Sequence, residues 1–171
     1  MRKIFLLCMF FCPLQLLNSQ NTYIVTYDTI LKQEILIGRL NKNDLMNSDF
    51  AEYFYLYHEA YKPEVGIINK LKHLINDVNI TIVIGTWCSD SQEQIPKFYK
   101  IINLLEYDEN KILLIGVDKK KQAREYESLV QSLNIEKIPT FIFYKDEKEI
   151  SRIIESPETT LEMDMLKILN K

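Results

Sequence analysis

Glycine is scarce in this sequence. Four residues, Gly38, Gly66, Gly85 and Gly116, serve the whole chain of 171. No two stand at the spacing of a Gly-rich loop, which excludes a dinucleotide fingerprint and a phosphate-cradling P-loop. Cysteine is scarce too, with Cys8, Cys12 and Cys88 only. Three are too few for a disulfide scaffold or for a zinc site built from four thiolates. The two histidines, His58 and His73, fall on predicted helices far in sequence from Cys88, so no metal site is expected, and no cofactor either. A basic field is missing as well. The formal charge is −3, without the electrostatic footprint of a nucleic-acid-binding protein.

What is present is the composition of a globular chain, 47% hydrophobic and 26% charged. Its length suits one ordinary domain and a little more. The first nineteen residues stand apart. Met1-Arg2-Lys3 is a short positive start. An apolar run from Ile4 to Phe11 follows and continues past Pro13 as Leu14, Leu16 and Leu17, and Asn18-Ser19 ends it. This is the order of a secretory signal peptide, with cleavage expected after Ser19. The run is short and interrupted for a membrane-spanning helix, which needs about 20 predominantly apolar residues. The alternative is an uncleaved N-terminal segment that tethers the protein to a membrane. A lipoprotein reading would need a small residue before the cysteine, but Leu7 precedes Cys8 and Phe11 precedes Cys12.

Cleavage would remove Arg2 and Lys3 from the 21 basic residues, leaving 19 against 24 acidic ones and a net charge of −5. It would also leave one cysteine, Cys88. An exported protein meets an oxidising compartment, where paired cysteines become disulfides. A lone thiol there needs an explanation.

Along the remaining chain, Tyr23–Tyr27 and Glu34–Ile37 are short β-prone runs that can pair as a hairpin. The polar stretch 41–49 reads as a loop. Between Asp49 and Tyr61, residues Phe50, Tyr53, Phe54, Tyr57 and Tyr61 recur at helical spacing, an aromatic face that reads as core rather than ligand pocket. It is expected to cover part of a sheet or its edge. Pro63 separates it from the next element. Val65 to Ile75 gives a helix of about three turns, and Ile80–Ile84 is a β-branched run suited to a strand covered on both faces. A helix is expected over Ser91–Glu106, a strand over Lys111–Val117 and a charged helix over Lys121–Leu133. Phe141–Tyr144 and Ile150–Ile154 flank Asp146-Glu147 as an antiparallel hairpin, and Glu158–Leu169 forms a terminal helix. Alternation followed by a hairpin implies an α/β fold with a mixed sheet and helices on both faces.

The strand ending at Gly85 runs into Thr86-Trp87-Cys88-Ser89-Asp90-Ser91, and a helix follows. A cysteine at such a turn sits near backbone N–H groups without intrahelical partners. Those donors and the helix dipole favour a thiolate over a thiol. Asp90-Ser-Gln-Glu93 matches a helix-capping box, which gives Asp90 a capping role. Asp118, after the second buried strand, reads as a loop residue rather than a catalyst.

At these residues the sequence resembles the thioredoxin family over 63–171. Trp87-Cys88-x-x-Ser91 stands where that family carries Trp-Cys-x-x-Cys. Pro96, eight residues after Cys88, matches its helix-kinking proline. Ile138-Pro139-Thr140 is similar to the segment whose cis-proline faces the active-site cysteine, and Phe141 to Glu149 resembles the strand and turn that follow. The resemblance implies a thioredoxin-like domain over 63–171, preceded by an N-terminal extension over 20–62 and a signal peptide over 1–19. It implies Cys88 as nucleophile, Ser91 as hydrogen-bond donor to the thiolate, and Trp87, Ile138, Pro139 and Thr140 beside a substrate groove. Together with the signal peptide it implies export, in a bacterium to the periplasm.

Two departures narrow the chemistry. The resolving cysteine of the family is Ser91 here, and its buried acid, six residues before the first cysteine, is Ile82. A dithiol oxidoreductase needs its second thiol to resolve the mixed disulfide made by the first, so reduction by an internal cysteine pair is excluded. Asp90 would disfavour a second negative charge beside it. Three readings stay open. In the first, Cys88 exchanges with a protein or low-molecular-weight disulfide and an external thiol resolves the product. In the second, the groove beside Pro139 binds an extended peptide and Cys88 is redox-inactive. The third is another chemistry of the lone thiol, such as peroxide reduction or metal capture. Neither nucleic acid nor, after cleavage, a membrane span is expected. N-terminal sequencing of exported protein is expected to begin near Gln20, and an intact Met1 would refute the cleavage.

Overall fold

The structure is a computed structural model that describes residues 23–170. The expected signal peptide lies outside the described residues. A six-stranded mixed sheet runs through the molecule in the order β1-β2-β4-β3-β5-β6. Strands β1 (Tyr23–Asp28) and β2 (Gln33–Leu40) form the expected hairpin, in register from Tyr23 opposite Gly38 to Asp28 opposite Gln33. The Asp28 carboxylate accepts from the N–H groups of Ile30 and Leu31 and so closes its turn. Strand β2 continues the sheet by pairing antiparallel with β4 (Ile112–Gly116). The hairpin therefore adds two strands to one side of the sheet.

Three helices follow the hairpin. Helix α1 (Lys42–Met46) occupies the stretch expected to be a loop. Its physical basis is a capping box. The Asn41 side chain accepts from the N–H groups of Asn43 and Asp44, and the Asp44 carboxylate accepts from the Asn41 N–H at 2.8 Å. Helix α2 (Ala51–Ala60) carries the aromatic stripe. Phe50 and Phe54 are buried, and the Phe54 ring lies 5.8 Å from that of Tyr99. Tyr57 and Tyr61 are half-buried and flank the Lys97 ammonium at 6.0 and 5.5 Å, a cation–π arrangement. Helix α3 (Val65–Leu71) is shorter than expected, and Leu74 and Ile75 lie in the turn after it.

Strand β3 (Val78–Ile84) is the central parallel partner of β4 and pairs antiparallel with β5 (Thr140–Lys145). Successive residues of a strand point to opposite faces. Ile80, Ile82 and Ile84 accordingly enter the larger core with α2, α3, α4 (Ser89–Leu105) and α6 (Leu161–Leu169), while Val83 joins Ile115, Val117, Ala123, Val130 and Ile138 on the other side. Phe98 of α4 seats its ring 5.2 Å from Phe141 of β5, and both are fully buried. The fold is the mixed α/β sheet flanked by helices that the sequence implies.

Other boundaries differ for local reasons. The stretch 121–133 forms a helix only as α5 (Glu127–Ser132). Upstream, Asp118 accepts from the N–H groups of Lys120 and Gln122, and Lys121 and Arg124 hold left-handed backbone conformations. These side-chain bonds compete with the helical ladder. Strand β6 (Lys148–Ile154) pairs with β5 around Asp146-Glu147, both at positive φ, as a tight hairpin turn requires. Helix α6 starts at Leu161 rather than Glu158 because Thr160 caps it by accepting from the Met163 N–H.

Gly116 marks where the hairpin meets the central sheet. A Cβ there would lie 2.3 Å from the Leu36 carbonyl oxygen. That neighbour is backbone and cannot swing aside. Gly116→Ala is expected to destabilise the fold by about 1–3 kcal/mol through overpacking, read as a lower urea midpoint with unchanged slope.

Candidate active site

Strand β3 ends at Ile84, and the chain turns through Gly85, Thr86 and Trp87 into α4. Cys88 is the N-cap residue of α4, with extended backbone at φ −89° and ψ 126°. Its N–H donates to the Gly85 carbonyl at 2.9 Å, and its own carbonyl accepts the first helical bond, from the Gln92 N–H at 2.9 Å. The cap thus falls two residues before the expected one. Asp90 lies inside the first turn, and Glu93 pairs with Lys97 instead of returning to the cap. Asp90 still favours the helix as an acid near its positive end.

The Cys88 thiol is half-buried and is the free cysteine of the described residues. It donates to the Ile138 carbonyl at 3.6 Å and lies 3.9 Å from Asp90 Oδ2. The Ile138–Pro139 peptide bond is cis. Pro139 is held in turn, since its carbonyl accepts from the Glu155 N–H at 2.6 Å. Thr140 is buried at the start of β5, opposite Val83, and its hydroxyl donates to the Lys137 carbonyl at 2.6 Å. Trp87 packs against the smaller core, and its indole N–H donates to the Val117 carbonyl at 3.1 Å. The fold therefore brings Trp87, Cys88, Ile138, Pro139 and Thr140 to one end of the sheet.

Ser91 takes a different place. It is fully buried, and its Oγ accepts from the Gly85 N–H at 3.3 Å. No hydrogen bond joins it to the Cys88 sulfur among the described residues. Ser91 ties the end of β3 to the start of α4. Ile82 is fully buried between Leu114 and Phe141 in the sheet, an apolar side chain in an apolar layer.

Several contributing residues carry no local sequence signal. Gln92 donates its side-chain amide to the Thr86 carbonyl at 3.0 Å, and the Thr86 hydroxyl accepts from the Leu36 N–H at 3.1 Å. Lys137 pairs with Glu155 at 2.5 Å. That hydrogen bond, with smaller contributions from Asp90 and Glu136, holds the Lys137 ammonium above the ordinary lysine range. His58, away from this end, bonds to Asn103 and Glu59 and stacks on Phe54, and no cluster fit to hold a metal occurs among the described residues.

Gly85 allows the site to close. A Cβ there would meet Ile138 Cδ1 and Trp87 Cε2, each at 2.7 Å. Gly85→Ala is expected to displace the indole from Val117 and to cost about 1–3 kcal/mol. Trp87 is the sole tryptophan, so its emission reports this directly: a red shift is expected, and an unchanged maximum would refute the close approach.

Comparison with known proteins places the chain in a family. The sequence model of the Thioredoxin family matches residues 69–167. No curated protein matches the sequence. Among solved structures, a Pseudomonas aeruginosa protein of unknown function is similar at 18% identity and a TM-score of 0.50, covering 71% of this chain and 81% of its own. Mitochondrial thioredoxin 3 of Saccharomyces cerevisiae is 17% identical with a TM-score of 0.38, over 60% of this chain and 88% of its own. The germline-specific thioredoxin Deadhead of Drosophila melanogaster is 15% identical with a TM-score of 0.35, over 50% and 75%. The Pseudomonas structure bears on the fold alone; the family match covers more than half of the chain, and the chain belongs to the thioredoxin family.

Proposed function

We propose that this protein is an exported monothiol member of its family that carries out thiol–disulfide exchange through Cys88. The observation that supports this most is the seat of the sulfur. It lies at the N-cap of a 17-residue helix, half-buried, 3.6 Å from the carbonyl that precedes a cis proline. A thiol so placed is open to a partner on one side and is held on the other. The helix dipole favours negative charge at that end, while the thiol itself makes no cap hydrogen bond to the first turn and faces the Ile138 carbonyl and Asp90.

The chemistry balances with one protein thiol. Cys88 loses its proton to solvent and attacks one sulfur of a disulfide. The disulfide bond breaks, a Cys88 mixed disulfide forms, and the other sulfur leaves as a thiolate that takes up a proton. An external thiol, on a protein or a small molecule, then attacks the mixed disulfide and releases Cys88. The net reaction exchanges one thiol for another on the substrate disulfide. Cys88 is the free cysteine of the described residues, and with Cys8 and Cys12 lost on cleavage the mature protein has no thiol to resolve the intermediate, which is then long-lived. Trp87 and Cys88 are the partly exposed residues of this end that a substrate meets, and Ile138, Pro139 and Thr140 are buried behind them and support the thiol. Export rests on the N-terminal sequence. Among the described residues no helix is long and apolar enough to cross a membrane.

Trapping tests the reading. Tagged protein carrying residues 1–171 is expressed, quenched in acid and separated without reductant. Mixed-disulfide adducts are expected with the wild type and are expected to vanish in Cys88→Ala. Partners that stay bound without a covalent link, equally in Cys88→Ala, would overturn the exchange reading.

A further inference from the structure

The hairpin over residues 23–40 lies outside the family match, yet it is wired to the Cys88 turn. Strand β2 pairs with β4 only from Gly38 opposite Gly116 to Leu40 opposite Leu114. At Leu36 the partner strand has ended. The Leu36 N–H is buried and would be left without an acceptor, which native structures rarely tolerate. Thr86 supplies it: its buried Oγ1 accepts at 3.1 Å. A side chain from the active-site turn thus stands in for the missing stretch of β4.

Thr86 is held at its other end as well. Its carbonyl accepts from the Gln92 side chain, within the first turn of α4. Cys88 lies two residues on in one direction and four residues back in the other. The Leu36 carbonyl meanwhile packs against Gly116, whose neighbour Val117 accepts the Trp87 indole. Leu36, Thr86, Trp87, Val117 and Gly116 therefore form a closed circuit of contacts around the turn. A shift of the hairpin at Leu36 moves both the residue before Trp87 and the acceptor of Trp87.

We propose that Thr86 is a positioning residue, through which the N-terminal hairpin sets the geometry of the Cys88 turn. The importance of that turn rests on Cys88 being the reacting group, as proposed above. The linkage itself can be tested by alkylation, which needs no natural substrate. Thr86→Val keeps the shape and removes the acceptor, and Thr86→Ser keeps the acceptor. In the folded full-length protein, the iodoacetamide rate at Cys88 is expected to change in Thr86→Val by up to about a hundredfold, the cost of a reacting group misplaced by about 1 Å. Thr86→Ser is expected to restore the wild-type rate and the wild-type Trp87 emission. A Thr86→Val protein of lower stability but wild-type alkylation rate and emission would overturn the proposal.

The wild type gives an independent reading, which stands even where Thr86→Val does not fold. Linkage is reciprocal, so carbamidomethylation of Cys88 is expected to change amide exchange at Leu36 by about fivefold or more, within the usual range of coupling between sites. Ile153, in β6 at the other edge, is expected to stay unchanged. Equal exchange at Leu36 before and after modification would overturn the proposal. Coupling at Leu36 without mixed disulfides in the trapping experiment would instead refute thiol–disulfide exchange and leave the positioning role standing.

Discussion

The turn between β3 and α4 has no room for a side chain at Gly85, and the candidate site depends on that constraint. The bare Cα lets the Trp87 ring and the Ile138 side chain meet over it. Ile138 in that position brings its carbonyl to the Cys88 thiol. The Gly85 N–H reaches Ser91, and its carbonyl takes the Cys88 N–H. One residue without a side chain therefore fixes where the strand stops, where the helix begins and what the sulfur faces. Close approach of this kind is among the few roles in which glycine has no substitute.

The frame beneath this turn is stiff. Strand β3 is buried on both faces from Ile82 to Ile84 and lies between β4 and β5. Helix α4 rests on the sheet through Ile95, Phe98 and Ile102, all essentially without solvent exposure. Close-packed interiors transmit small displacements rather than absorbing them. A reactive group carried at the end of such elements is held more firmly than one on a free loop. The half-buried sulfur combines this support with access from one side. Charge around it is mixed: the Asp90 carboxylate stands nearby, and the Lys137 ammonium pairs with Glu155.

Sequence patterns revealed the elements whose signals are strong and uninterrupted. Ile80–Ile84 is a continuous β-branched run and Phe141–Tyr144 an aromatic and aliphatic one, and both lie in interior strands of the sheet. Helix α4 was legible from Ile95, Phe98, Ile102 and Leu105, although its first residue was not. Asp90 and Glu93 have the spacing of a cap, but the path of the chain leaving Gly85 places the cap at Cys88. Helix α1 was hidden because Asn41 and Asp44 are as typical of loops as of helix caps. The charged stretch 121–133 misled in the opposite sense. Its periodicity is helical, but Asp118 captures the backbone, and the Lys121 ammonium reaches the carbonyls of Ile135 and Glu136.

By itself the sequence determined the α/β class, the family, and the presence of one thiol beyond the apolar N-terminal run, set after a strand and before a helix. Those properties follow from local order: apolar runs, turn residues and short motifs a few positions long. Only the tertiary structure decided what surrounds that thiol. Leu36 meets Thr86 across 50 residues of sequence, and Trp87 meets Val117 across 30. Ser91, six residues from Gly85, bonds to it rather than to the sulfur. The register of β2 on β4 and the point where β4 ends select these partners. No short stretch of sequence encodes either, because both arise from the packing of strands far apart in the chain.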